Sequence, residues 1–322
     1  MVEASVVKGA ALAATLVCLL LLLACGGEKP EAANAPAPQL PAKAAASDAL
    51  PPEQTGGFDG ARAFTHVEAL VRIGPRQPGS EGIRRAQDYI RGQLKNVGCA
   101  VEEDDFQANT PVGRVPMKNI VAKIPGRKSD VLLLLTHYDT LRLENFLGAN
   151  DSGSSTGLML EMARLLCARK GELTLWIAFL DGEEAFVEWS ETDGTYGSRQ
   201  MAAKLALSGE LKRIRAVLLA DMVGDRSLNI KRETASTPWL TDLVWKTAAR
   251  LGYEKYFVAD QHTIEDDHLP FLRRGVPAVN LIDFDYPYWH TPEDTLDKIS
   301  ARSLGIVGHV LLEVVSVLDK RP

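Results

Sequence analysis

The stretch VLLLLTHYDT, residues 131–140, decides how the chain is read. Five consecutive apolar residues leave no polar face, so the segment is expected to be a strand buried on both sides, as in parallel sheets covered by helices. Three more runs are of the same kind: the mostly apolar LTLWIAFL at 173–180, AVLLA at 216–220 and AVNLI at 278–282. Between them lie stretches of helical spacing, Ser155 to Ala168, Ser198 to Leu207, Pro238 to Leu251 and Ser300 to Leu318. Alternation of β with α is the pattern of a parallel sheet with crossover helices. Upstream, helical spacing at Asp59 to Val71 and from Ser80 through Leu94 precedes strand-like runs at Val101 to Phe106 and Lys118 to Ile124. The expected fold class is α/β, a three-layer αβα sandwich with a mixed, mainly parallel central sheet.

In such sheets ligands bind beyond the carboxyl ends of the strands, and each apolar run here is followed by groups that bind protons or metals. His137-Tyr138-Asp139 follows the first, Asp181-Gly182-Glu183-Glu184 the second, Asp221 the third, and His290 lies downstream of the fourth. Gly148-Ala149-Asn150-Asp151 forms a loop that opens a helix. A single His or Asp at a strand end is ordinarily a cap or turn residue. A set of them at successive strand ends asks for a common cause. Glu183-Glu184 is the hardest to explain as scaffold, because adjacent carboxylates after a buried strand repel and lose solvation unless a cation or a proton stabilises them. One can bind metal while its neighbour handles protons. Imidazole and carboxylate donors without cysteine suit a catalytic zinc that keeps one coordination position open.

His137-x-Asp139, the GAND loop ending in Asp151, Glu183-Glu184, Asp221 and His290 resemble, in order and type, the metal-ligand positions and catalytic glutamate of the co-catalytic zinc aminopeptidases. Four longer motifs, GPRQPGSEG at 74–82, DGEEAFVEWSETDGTYGSR at 181–199, IEDDHLPFLRRGVPAVNLI at 264–282 and WHTPEDTLDKIS at 289–300, look like glutaminyl cyclase (glutaminyl-peptide cyclotransferase). The resemblance covers the chain after residue 57 and implies a zinc exopeptidase-like fold. It implies one zinc per chain on Asp151, Glu184 and His290, Glu183 as general acid/base, and Asp221 and Asp266 as hydrogen-bonding carboxylates. It places Trp189 and Trp289 in the substrate pocket. The implied reaction converts the N-terminal glutamine of peptides or proteins to pyroglutamate with release of ammonia. Asn280 departs from the pattern, standing where the animal enzymes carry a histidine, and SGSSTGLML after Asp151 is closer to the aminopeptidases.

The alternative is a two-zinc aminopeptidase, with His137 and Asp221 as the second metal positions and Glu183 activating water. A serine hydrolase is suggested by Gly153-Ser154-Ser155-Thr156-Gly157, but LENFLGAND before it is a polar loop rather than the apolar strand a nucleophile elbow needs. His268, inside DDHLPF, reads as a structural hydrogen-bond partner rather than a ligand. A receptor built on an inactive exopeptidase fold would usually have lost ligands, and none is missing.

The 322 residues carry a formal net charge of −6 with 46% hydrophobic content, a globular composition without basic patches, so nucleic acid is not an expected partner. Residues 1–25 read as an export signal: Lys8 precedes an apolar run too short to span a membrane, ending in Leu22-Leu23-Ala24-Cys25-Gly26, which resembles a bacterial lipobox. The protein is expected to be exported and lipid-anchored at Cys25, in the bacterial periplasm or at the cell surface. Residues 26–57, rich in Ala and Pro, are expected to be a tether, leaving 58–322 as the catalytic domain. Cys99 and Cys167 remain in that domain; export permits a bridge between them, but the sequence gives no distance, and buried free thiols are the commoner state of such a sparse pair.

Overall fold

The computed structural model of the chain describes residues 48–321. The expected leader, the anchor at Cys25 and residues 26–47 of the expected tether lie outside them. Six strands form one sheet in the order β1 (Ala100–Thr110), β2 (Gly113–Ile124), β4 (Thr174–Leu180), β3 (Val131–His137), β5 (Ile214–Asp221), β8 (Ala278–Ile282). β3, β4, β5 and β8 run parallel, while β1 and β2 add an antiparallel hairpin at one edge. The sheet is therefore mixed and mainly parallel, as its apolar runs imply.

Strand periodicity explains the two layers of core. Leu132 and Leu134 of β3 face the cluster built with α1 (Gly60–Ile73), α3 (Ser155–Leu166) and α7 (Ala301–Asp319). Val131, Leu133 and Leu135 face the opposite cluster, with Met201, Ala202 and Leu205 of α4 (Tyr196–Ser208) and Phe271 of the short α6 (Leu269–Leu272). Alternate residues point to opposite faces, so a run with no polar member is what a helix-covered strand requires. α2 (Glu81–Asn96) starts at Ser80, whose side chain accepts from the Ile83 N–H, and α1 at Asp59, which accepts from Arg62.

Three expectations change. The hairpin strands are longer than their apolar segments, because β1 pairs with β2 from Ala100↔Lys123 to Thr110↔Gly113 through polar residues that alternation leaves facing solvent. β6 (Ile230–Glu233) and β7 (Phe257–His262) make a separate two-stranded sheet beside α5 (Pro238–Arg250) that no apolar run announces. Residues 48–57, assigned to the tether by composition, make contacts of their own. Asp48 accepts from Ser300 Oγ at 2.7 Å and from the Arg302 N–H at 3.3 Å, and Thr55 is fully buried, so residues 48–57 are docked against the start of α7.

The cysteines are also corrected. Cys99, before β1, and Cys167, after α3, form a disulfide with Cα atoms 5.3 Å apart. Two elements distant in sequence pack together here, and that proximity is not visible in cysteine spacing. Closing a loop of 68 residues is worth on the order of 4 kcal/mol through the unfolded chain. Replacing both cysteines by serine is expected to lower stability by about 2–4 kcal/mol, read as a lower denaturant midpoint with a steeper slope, because the unfolded chain without the cross-link exposes more surface. An unchanged midpoint in non-reducing buffer would contradict the bond's contribution.

Candidate metal centre and active site

The parallel strands end level with one another, which brings their polar followers together. His137 is the last residue of β3 opposite Leu180, and Asp221 the last of β5 opposite Ile282. Asp139 then orders the turn after β4: its two carboxylate oxygens accept the N–H groups of Glu183 and Glu184 at 3.1 and 3.2 Å. That pair of bonds aims both glutamates at the strand ends.

Asp151 arrives from the loop before α3, and two buried residues hold the loop. Asp294 accepts from the N–H groups of Asn150 and Asp151 at 2.8 and 3.0 Å and from Tyr286 Oη at 2.7 Å. The fully buried Arg76 guanidinium donates to the carbonyls of Leu147, Gly148 and Tyr138 at 2.8, 3.0 and 3.1 Å. Gly148 sits at φ 57°, and a Cβ there would come within 2.0 Å of the Asp151 carbonyl oxygen, so the turn needs glycine. Arg76 and Asp294 were not singled out from sequence. The available signals were an arginine in a Gly-Pro turn and an acid four residues after His290, both inside motifs quoted above.

Two donor sets share Asp151. Asp151, Glu184 and His290 present donor atoms within 4.8 Å of one another, and so do His137, Asp151 and Asp221. His290 Nε2 stands 3.4 Å from Asp151 Oδ2 and 3.3 Å from Glu184 Oε2. His137 Nε2 stands 3.1 Å from Asp221 Oδ1 and 3.3 Å from Asp151 Oδ1, with its Nδ1 3.3 Å from Asp139. His290 adopts φ 53°, a left-handed conformation that costs a residue with a Cβ free energy and is kept where the surroundings demand it.

The electrostatics report crowding of negative charge. Burial raises Glu184 to about 7, helped by the neighbouring Asp151 charge. Burial likewise pushes Glu183 well above the carboxylate range, reinforced by Glu184, Asp266 and Asp267 against the pull of His137. For His290 burial acts downward, but hydrogen bonds to Asp151 and Glu184 outweigh it and lift the imidazole to about 10. Glu184 Oε1 is buried with no hydrogen-bond partner in the described structure. Carboxylates that share one histidine, with a buried oxygen left over, fit a divalent cation bound among Asp151, Glu184 and His290.

Above this set lies a cavity of about 560 Å³. Trp289 stacks on the His290 ring with centroids 4.0 Å apart and leans on Phe284 at 4.7 Å, while remaining 41% exposed, so its indole forms a wall rather than core. Trp189 also lines the cavity, 36% exposed, its Nε1 donating to Glu265 at 3.1 Å. Asp266 is buried at the floor, raised to about 7 by burial and the Asp221 charge, and accepts from Asn280 Nδ2 at 2.7 Å. Asn280 thus supplies the hydrogen bond at the position where the sequence departs from its resemblance.

The turn carrying Asp266 has its own anchor. His268 Nε2 bonds Glu233 Oε2 at 3.0 Å, the hydrogen-bonding role expected for it, and the same carboxylate accepts from the Ser236 hydroxyl at 2.8 Å. Ser236 Oγ in turn accepts from the Asn280 N–H at 3.1 Å, so Glu233 ties together both partners of the Asp266–Asn280 contact. Burial alone would raise Glu233, but the bonds from His268 and the Ala235 N–H pull it down to about 2. A depressed carboxylate adds stability that is present above its unfolded pKa and is lost as pH falls towards the folded one. Glu233→Gln is therefore expected to cost about 2 kcal/mol at pH 7, with the gap to the parent closing between about pH 5 and 2. Denaturant titrations at several pH values check this; a gap independent of pH would refute it.

Residues 119–315 match peptidase family M28. The chain is 32% identical over 277 residues to the glutaminyl-peptide cyclotransferase of Gloydius blomhoffii, covering 73% of this chain and 75% of that protein. The crystal structure of an Acidobacteriales bacterium glutaminyl cyclase superposes with TM-score 0.78 at 43% identity, covering 82% of this chain and 96% of that one. A Zn-dependent exopeptidase from Parabacteroides distasonis superposes with TM-score 0.75 at 26% identity, covering 82% and 99%.

Proposed function

The chain belongs to peptidase family M28 and, within it, to the glutaminyl-peptide cyclotransferases, and on that premise we propose a zinc-dependent cyclase whose ligands are Asp151, Glu184 and His290. The observation that carries the reading is the placement of Glu183, with its raised proton affinity, beside that donor set in a tryptophan-walled cavity. Zinc held by these residues would supply a Lewis acid for the γ-amide carbonyl of an N-terminal glutamine.

The chain's own residues do the rest. The cavity holds the glutamine with its α-amine folded towards its own γ-carbonyl, and attack within one molecule has a large entropic advantage over attack by an external nucleophile. Glu183 accepts the proton the amine loses as the new C–N bond forms. It returns that proton to the γ-amide nitrogen as the original amide C–N bond breaks and ammonia leaves. Asp266, kept in place by Asn280, and Asp221, beside His137, offer hydrogen-bond acceptors to the substrate nitrogens. Trp289 and Trp189 supply apolar walls that exclude water, the competing nucleophile.

The His137–Asp151–Asp221 set keeps a two-zinc aminopeptidase as the second reading. Incubating the purified protein with a glutaminyl peptide separates the two. Pyroglutamyl product with ammonia supports the cyclase, and release of free N-terminal residues without pyroglutamate overturns it.

Location follows the same reasoning. The Cys99–Cys167 disulfide suits an oxidising compartment, and Cys25 after its apolar run suits lipid attachment at a bacterial membrane facing the periplasm or the cell exterior. Cys25→Ser is expected to block processing or release the protein into the soluble fraction. Unchanged processing and membrane retention would reject the anchor.

A further inference from the structure

The cavity mouth carries two carboxylates that neither the metal set nor the proton shuttle uses. Glu188 and Glu265 both line it and both are exposed. Neither hangs on a loose loop. Glu265 Oε2 accepts the Trp189 indole N–H at 3.1 Å, joining ring and carboxylate into one edge of the mouth. The turn bearing Glu188 is pinned by Asp193, which accepts from the N–H groups of Phe186, Val187 and Glu188 at 2.8, 2.9 and 3.1 Å. Among the described residues no lysine or arginine lines the cavity, and the nearby Arg142 guanidinium lies over the Phe186 ring, 5.1 Å from its centroid.

A peptide whose N-terminal glutamine points inward must leave through this mouth, so the side chains that follow the glutamine pass the two carboxylates. Fixed charges of one sign beside apolar walls attract the opposite charge and repel their own. We infer that Glu188 and Glu265 select peptides with a basic residue directly after the glutamine and disfavour an acidic one there. The inference rests on the cyclase reading and names its substrate class.

An exposed ion pair is worth a factor of roughly two to five, and reversing the substrate charge turns attraction into repulsion, so the expected span is about tenfold in kcat/KM. Glu265→Gln keeps an oxygen for the Trp189 N–H and removes only the charge. The test uses three peptides, otherwise neutral and identical, with Arg, Ala or Glu after the glutamine. Ammonia release is followed at low and at about 0.5 M salt, for the parent and for the double variant Glu188→Gln/Glu265→Gln. The expected order in the parent is Arg above Ala above Glu, the span collapsing to under about threefold in the double variant and in high salt. The salt arm stands even if the double variant fails to fold. Equal kcat/KM for the three peptides in the parent, or a span that survives salt or the double substitution, overturns the inference and leaves the cyclase standing. No pyroglutamyl product from any of the three overturns both.

Discussion

Glu183→Gln is expected to lower kcat by about 10²–10⁴-fold while zinc content stays at the parent level. The substitution preserves size and hydrogen bonding, and Asp139 still fixes the backbone of the turn through the N–H groups of residues 183 and 184. What disappears is the capacity to take a proton from the amine and return one to the departing nitrogen. That capacity comes from burial and the surrounding Glu184, Asp266 and Asp267 carboxylates, which raise the proton affinity of Glu183 well above that of a free carboxylate. Because Glu183 is outside the Asp151–Glu184–His290 set, metal analysis of the variant separates proton transfer from ligation. A kcat within about threefold of the parent, with zinc intact, would remove Glu183 from the mechanism.

Strand interiors and strand ends were legible in the sequence for one physical reason. A strand covered on both faces excludes polar residues, so the first His, Asp or Glu after VLLLL or LTLWIAFL stands out against its surroundings. Of the residues read that way, His137, Asp221 and Glu184 come together in the structure with Asp151 and His290. What stayed hidden depends on contacts between distant segments. Arg76 reaches the Asp151 loop across more than 70 residues of chain, to Leu147 and Gly148. Glu233 organises Asp266 only through His268 and Ser236. The disulfide was missed because two cysteines say nothing about their separation in space. The docked residues 48–57 were missed because Pro- and Gly-rich composition describes local stiffness, not whether a segment finds a partner such as Ser300.

His290→Ala and His137→Ala are expected to diverge, and their divergence fixes the metal count. His290 is one of three donors around the position beside Trp289. Without it the Asp151 and Glu184 carboxylates keep their mutual repulsion and lose the neutral nitrogen that completes a three-residue site. His290→Ala should therefore lose bound zinc and lower turnover by at least about 10³-fold, and chelation of the parent should do the same reversibly, with zinc restoring activity. His137 touches the shared ligand Asp151 and the acceptor Asp221 from the other side. In a one-zinc cyclase His137→Ala leaves the donor trio whole, so zinc stays near one per chain, while kcat/KM falls by about 10–100-fold as Asp151 and Asp221 lose the group that orients them. In a two-zinc aminopeptidase the same substitution takes the content from two per chain to one. Metal analysis of the parent and both variants, alongside the pyroglutamyl assay, decides between them. Two zincs in the parent, one in His137→Ala and no pyroglutamyl product would replace the cyclase with the peptidase.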